Sequence, residues 1–221
     1  MKTRIRLTLA TLILAALACS SLSTVTDRVI GSGHVAGEQR TVADFTAVEL
    51  AGSADVNILL GEAQSVNVEA DDNILPLIET KVTNGKLFVG TKSNVDYTTT
   101  NHVVVTVVVK SLDHVTLSGS GKVTVGDMHG TDLSVSLPGS GNINVEGSVD
   151  HLNISLAGSG MVQCNGLKAK DAIVTLAGSG TINVYASESL NATVQGSGAI
   201  HYDGNPANVT KNISGSGSIT P

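Results

Sequence analysis

The sequence of 221 residues contains no tryptophan, two phenylalanines and three tyrosines. Its core must therefore be aliphatic, and the aromatic platforms that commonly line sugar-binding clefts are scarce. Cysteine is almost missing too. Cys19 and Cys164 are the whole supply, too few for a disulfide framework. Four prolines stand against 24 glycines, a balance that favours tight corners over a disordered Pro-rich chain. Beyond the N-terminus no apolar run reaches the length of a membrane helix, and Val103–Val109 is strand length. Positive charge is in short supply, with 13 Lys and Arg against 19 Asp and Glu. An acidic surface of this kind is no footprint for nucleic acid or for an anionic membrane.

Aliphatic residues are plentiful. Hydrophobic residues make up 41% of the chain. Val and Thr recur throughout, and both suit a pleated surface better than a helix.

The first residues read as a targeting segment. Lys2, Arg4 and Arg6 precede the apolar stretch Leu7–Ala18, which is too short to span a bilayer. Ala16-Leu17-Ala18 gives a small-x-small cleavage pattern, and Cys19 follows at once with Ser20, Ser21 and Ser23 behind it. The arrangement resembles a bacterial lipoprotein signal in which Cys19 becomes the lipidated first residue. Ala16 stands where such signals usually carry Leu or Val, and plain secretion after Ala18 is the alternative. Either way residues 1–18 are a signal peptide and 19–30 a linker. Loss of three basic residues takes the charge to 10 − 19 = −9.

A repeat organises the rest. Gly-Ser-Gly occurs at 119–121, 139–141, 158–160, 178–180, 196–198 and 215–217, at spacings of 20, 19, 20, 18 and 19 residues. Gly31-Ser32-Gly33 is an earlier copy, and Gly52-Ser53-Ala54 a decayed one. A fixed period near twenty is the signature of a solenoid. After each triplet comes an alternating segment, such as Asn142-Ile143-Asn144-Val145 or Thr181-Ile182-Asn183-Val184. Before each comes another: Leu133, Val135 and Leu137, then Leu152, Ile154 and Leu156. Period-two alternation buries one face and wets the other. Segments such as Gly126–Asp132 and Glu146–His151 read as variable return loops.

The expected fold is all-β: a single-stranded β-helix with about 19–20 residues per coil. Its coils would lie about 4.8 Å apart. Residues 111–221 form the regular part, and residues 31–110 a less regular β-rich cap. In that cap, Phe45–Leu60 and Ser65–Ala70 read as strands, and so does His102–Lys110. Asn84-Gly85 is a hairpin turn between Thr80–Thr83 and Lys86–Val89. Asp71-Asp72-Asn73 would cap a helical turn at Ile74–Ile78.

SGNINV at 140–145 and SGTINV at 179–184, joined to the Gly-Ser-Gly corners, resemble the bacterial head GIN domain family. FTAVELAGSADVNILLGE at 45–62 and VEADDNILPLIET at 68–80 resemble its N-terminal half. The resemblance covers about residues 28–221. It implies an exported, mainly β-helical protein, often a lipoprotein, described as an autotransporter adhesin. It supplies no catalytic residues. Strict Gly-Ile-Asn is absent, with Gly-Asn-Ile-Asn and Gly-Thr-Ile-Asn in its place.

Chemistry-bearing clusters are few. Cys164 fills the slot of Val125, Val145 and Val184, and reads as a small buried hydrophobe. His129, Asp132, Asp150 and His151 are the nearest approach to a cluster, and read as surface ion pairing rather than a zinc site. Gly-Ser-Gly is neither a phosphate loop nor a nucleophile elbow, since no helix or Lys-Ser/Thr follows. No residue is assigned a catalytic, cofactor or metal role, and no cofactor is implied. The expectation is a non-enzymatic module displaying a polar Ser, Thr and Asn face, with Ser120, Ser140, Ser159, Ser179, Ser197 and Ser216 as a ladder along one corner. Its partner would be an envelope or extracellular component, and membrane contact would run only through lipid on Cys19. The other expectations are a spacer that self-associates through the C-terminal coil, where an open strand edge invites pairing, and a glycan-active β-helix enzyme.

Overall fold

A computed structural model describes residues 28–221. Residues 1–18, which read as a signal peptide, and Cys19 lie outside the described residues.

The chain is all-β. Strands β1 (Arg28–Ile30), β2 (Val35–Arg40), β3 (Ala47–Gly52), β4 (Asp55–Leu60) and β5 (Ser65–Asp71) come first, then a 3-10 turn at Leu75–Leu77. Next are β6 (Ile78–Thr83), β7 (Lys86–Thr91), β8 (Asp96–Thr98), β9 (Val104–Val109) and β10 (His114–Gly119). Four long strands follow: β11 (Lys122–Leu137), β12 (Asn142–Gly158), β13 (Met161–Gly178) and β14 (Thr181–Gly196). The chain continues through β15 (Ala199–Asp203), β16 (Asn208–Gly215) and β17 (Ser218–Thr220).

The fold is a β-solenoid. Lys122 pairs with Asn142, Asn142 with Met161, Met161 with Thr181, Thr181 with Ala199 and Ala199 with Ser218, always in parallel. These steps of 20, 19, 20, 18 and 19 residues are the coil lengths. Every second residue enters a continuous aliphatic column. Val48, Val115, Val135, Ile154, Val174 and Ala192 form one such column, each at most 1% exposed. Five of the six are β-branched and Ala192 is a single methyl, and these compact side chains let neighbouring levels interdigitate at strand spacing.

The return segments differ from the expected loops. Each of β11 to β14 runs unbroken from one corner to the next, so Gly126–Asp132 and Glu146–His151 belong to strands. His129 pairs with Ser148, and Ser148 with Lys168, while Met128, Val149, Leu167 and Ala186 turn inward and are buried. Variation in length is absorbed by register shifts, between Val125 and Met128 and between Cys164 and Ala169. Stacking supplies hydrogen-bond partners to any segment that keeps its path from coil to coil, whatever its alternation.

Phe45–Leu60 is two strands around the Gly52-Ser53-Ala54 corner. This corner is a level of the stack: β10 lies on β3 and β11 on β4. β7 and β9 form the next level outward, parallel to β3 and β4. Antiparallel strands then end the parallel stack, β6 against β7 and β5 against β9, with β2 on β5. The β6–β7 hairpin turns at Asn84-Gly85, both with positive φ.

The expected turn after β5 is present, but no side chain caps it. The residues meant for that role are drawn to the segment after β1. Asn73 Oδ1 accepts from the Ser32 amide at 2.9 Å, and Asn73 Nδ2 donates to the Ile30 carbonyl at 2.8 Å. Asp72 accepts from the Ser32 hydroxyl.

Asp71 is the one charged residue that is fully buried among the described residues. The Thr99 hydroxyl donates to it at 2.6 Å, and the Asn101 amide also donates. Hydrogen bonds from Thr99 first, then Asn101, hold its carboxyl below the usual range. A carboxylate with a depressed pKa stabilises the fold above its unfolded pKa, and that contribution is lost as pH falls through the folded value. Asp71→Asn should therefore melt below wild type at neutral pH, and the gap should close below about pH 4. A gap that stays constant down the acid limb of the melting profile would show that the Asp71 charge contributes nothing.

Candidate binding surface

The corners are held by glycine. Gly158 has a φ of +146°, a region open to glycine, and a Cβ on Gly160 would stand 2.5 Å from the Gly141 carbonyl oxygen. Adjacent corners are hydrogen bonded to one another. The amides of Ser140 and Gly141 both donate to the Gly119 carbonyl, at 3.0 and 2.9 Å, and Asn142 donates to Gly121 at 3.0 Å. With both glycines pressed against the next coil, the serine between them turns outward. Ser120, Ser140, Ser159, Ser179, Ser197 and Ser216 are all exposed, and Ser53 continues the row. Seven levels span about 29 Å at about 4.8 Å each.

Polar columns flank this row on both sides. After the corner, Thr106, Asn57, Thr124, Asn144, Gln163, Asn183, His201 and Thr220 lie in register on successive levels, and none is buried. Before the corner, Thr116, Ser136, Ser155, Thr175, Thr193 and Asn212 form a second column. Apart from His201, both are built from neutral hydroxyl and amide groups, which offer donors and acceptors at strand spacing without a strong field. Exposed Ile173 and Met161 interrupt the faces. At the N-terminal end the serine row meets a cleft of about 330 Å³ that includes Ser53, Tyr97, Thr98, Asn101 and His102. Single strands reveal the alternation, but which polar residues share a column depends on register between coils.

The third face carries charged groups. Lys168 Nζ sits 3.8 Å over the Tyr185 ring, and Lys170 pairs with Asp150 at 2.6 Å. That hydrogen bond raises the Lys170 pKa and lowers that of Asp150. Asp132 stands beside His151 in register, yet the His151 ring lies nearest Asp171, 3.4 Å away. His129 Nδ1 instead meets the Asp127 carbonyl at 2.7 Å. No group of three His, Cys, Asp or Glu fit to hold a metal occurs among the described residues.

Cys164 is fully buried and pairs in register with Val184. Desolvation pushes its thiol up to about 12, which keeps the nucleophilic thiolate out of reach.

A coil period of twenty, glycine corners and antiparallel strands at one end together define the architecture. The family described as "Putative auto-transporter adhesin, head GIN domain" matches residues 44–206. This chain belongs to that family. The match takes in the stack from β3 to β15 and, of the antiparallel strands, β5 and β6. A "putative adhesin" from Bacteroides fragilis superposes with a TM-score of 0.72 at 19% identity, over 87% of this chain and 99% of the other. A "putative lipid binding protein" from Parabacteroides distasonis has a TM-score of 0.55 at 28% identity, over 87% and 98%. A "putative adhesin" from Parabacteroides merdae gives 0.54 at 22% identity, over 88% and 98%. No curated protein matches the chain. The family description is that of an exported surface protein without a named reaction.

Proposed function

We propose that this head GIN domain is a non-catalytic, cell-surface binding module whose contact surface is the serine corner with its two polar columns. The observation that carries this reading is the in-register run of eight unburied polar residues from Thr106 to Thr220 beside the exposed serines. Such an array suits a long partner with repeated polar groups, such as a polysaccharide or an extended polypeptide, because each level adds one more weak contact. The partner lies in the envelope or outside the cell, and lipid on Cys19 holds the module at the membrane. The name of the Parabacteroides distasonis neighbour adds lipid vesicles to the ligands worth testing.

Purified protein titrated against envelope polysaccharides, matrix proteins and phospholipid vesicles should show saturable binding to one class. The triple variant Asn144→Lys, Gln163→Lys and Asn183→Lys should weaken it at least tenfold, an energy of about 1.4 kcal/mol. Lys168→Ala on the third face should leave it unchanged. Binding that ignores the triple variant, or a panel without saturable binding, would defeat the proposal.

The other reading, a spacer that assembles through its C-terminal coil, has one observation in its favour. Val209 and Ile213 are 39% and 50% exposed on β16.

A further inference from the structure

The cleft that the serine row meets at Ser53 has a firmly held wall. That wall is the segment from Tyr97 to Val103, which leads from β8 towards β9. Thr99 and Asn101 both donate to the buried Asp71 carboxylate. The Asn101 amide also donates to Thr99 Oγ1 at 3.1 Å. The Gly31 amide donates to the Thr98 carbonyl at 2.8 Å, and the Asp55 amide to the Val103 carbonyl at 2.9 Å. A Cβ on Gly31 would overlap the Asp71 carboxylate and crowd the Thr99 hydroxyl, so that glycine makes room for the anchor. Fixed from behind in this way, the segment leaves Thr98, Thr100 and His102 exposed. A wall already ordered lowers the cost of taking up a ligand.

The lining is chemically narrow. None of the described residues around the cleft is Lys, Arg, Asp or Glu. His102 Nδ1 stands 3.9 Å from the Asp55 carboxylate, so a charge on the imidazole is met at the rim. A phosphate or carboxylate ligand would find no free cation here. An acyl chain would cover hydroxyl and amide groups that lose water and gain no partner. A small, neutral, hydroxyl-rich ligand fits. Ser53, the three threonines and Asn101 offer both donors and acceptors. Tyr97 brings one of the chain's three tyrosines to the same place, and a ring beside hydroxyls suits the apolar and polar faces of a sugar. The volume of about 330 Å³ lies at the low end of small-ligand pockets, which run from about 300 to 1,000 Å³. It has room for a single sugar residue and not for a long chain.

We propose that this cleft is a subsite for one neutral sugar residue, the end of a polysaccharide whose length lies along the serine corner. The subsite stands on the cleft alone. The placement of the rest of the polysaccharide depends on the polar corner being the contact surface. Ser53 belongs to both, as the first serine of the row and as a lining residue.

Amide NMR titrations of the protein with the methyl glycosides of glucose, galactose, mannose and N-acetylglucosamine test the subsite. At least one should give saturable shifts at Ser53 and across Tyr97–Val103, and inorganic phosphate and glucuronate should give none there. Ser53→Arg and Thr100→Arg replace exposed side chains and fill the cleft. Each should keep the wild-type melting temperature and weaken glycoside binding at least about tenfold. The triple variant Asn144→Lys, Gln163→Lys and Asn183→Lys should leave binding of the single sugar unchanged. Absence of shifts at Tyr97–Val103 with all four glycosides would overturn the subsite. So would phosphate or glucuronate binding there more tightly than any of them, or folded arginine variants that bind like wild type. Glycoside shifts confined to Asn144, Gln163 and Asn183 would overturn the cleft and leave the corner standing. Glycoside in the cleft, with polysaccharide binding untouched by the triple variant, would keep the cleft and remove the corner.

Discussion

Val174→Asp should abolish folding, while Ile173→Asp, one residue earlier on the same strand, should fold like wild type. Val174 has no exposed surface and stands between Ile154 and Ala192 in the aliphatic column. A carboxylate there would have no cation and no hydrogen-bond donor on the adjacent levels, Ile154 and Ala192, and water cannot enter between levels at strand spacing. Leaving such a charge unpaired costs several kcal/mol or more, against a total stability of about 5–15 kcal/mol for a domain. Ile173 points the other way and is 54% exposed. Aspartate at that position replaces an exposed apolar side chain on a polar face, so the change should stay within about 0.5 kcal/mol. Soluble yield and circular dichroism read the first variant, and a denaturant midpoint reads the second. Equal behaviour of the two would mean that the sides of β13 are not distinguished, and the column would have to be abandoned.

Gly160→Ala should destabilise by about 3 kcal/mol or more. The added methyl would stand 2.5 Å from the Gly141 carbonyl oxygen and 2.7 Å from Leu137 Cδ2. Leu137 is fully buried, and the Gly141 carbonyl accepts from Met161 at 3.0 Å. Neither can move without spreading two coils, so the strain spreads to neighbouring levels. Gly126→Ala is the matched control. There the new methyl would meet Leu59 Cδ2 at 3.5 Å, an ordinary contact, and the change should lie within about 1 kcal/mol. Urea unfolding of both variants tests this, and a Gly160→Ala midpoint at the wild-type value would remove close approach as the reason for the corner glycines.

These two predictions rest on different kinds of information. Inward and outward positions on β13 follow from the alternation Ile173, Val174, Thr175, Leu176, which is visible in the sequence alone. The turn at Asn84-Gly85 was legible for the same reason, because a two-residue hairpin needs positive φ at both central residues. The glycine corners were legible as a period. Their cause, a carbonyl oxygen of the neighbouring coil within 2.5 Å of a would-be methyl at Gly160, was not. The return segments read as loops because alternation weakens wherever a register shift puts two outward residues in succession, as at Gly126 and Asp127. Of the candidate surface, the serine row was evident from its spacing, whereas the second polar column needed the pairing of Ser136 with Ser155 and of Ser155 with Thr175.

By itself, the sequence determined the coil length, the aliphatic core, the buried side of the strand segments that flank the glycine corners, and the corners from Gly52-Ser53-Ala54 to Gly215-Ser216-Gly217. All of these are local, set by periods of two and about twenty along one chain. Gly31-Ser32-Gly33, which reads as an earlier copy, instead joins β1 to β2 outside the parallel stack. The tertiary structure alone decided which strands lie on which. It stacks Gly119 on Gly52 across an intervening stretch that includes β7 and β9, and it sets the exposed Lys211 in register with Ala192 at the end of the aliphatic column. Parallel strands of like pattern can pair in many orders, and only the packing of the whole stack selects one.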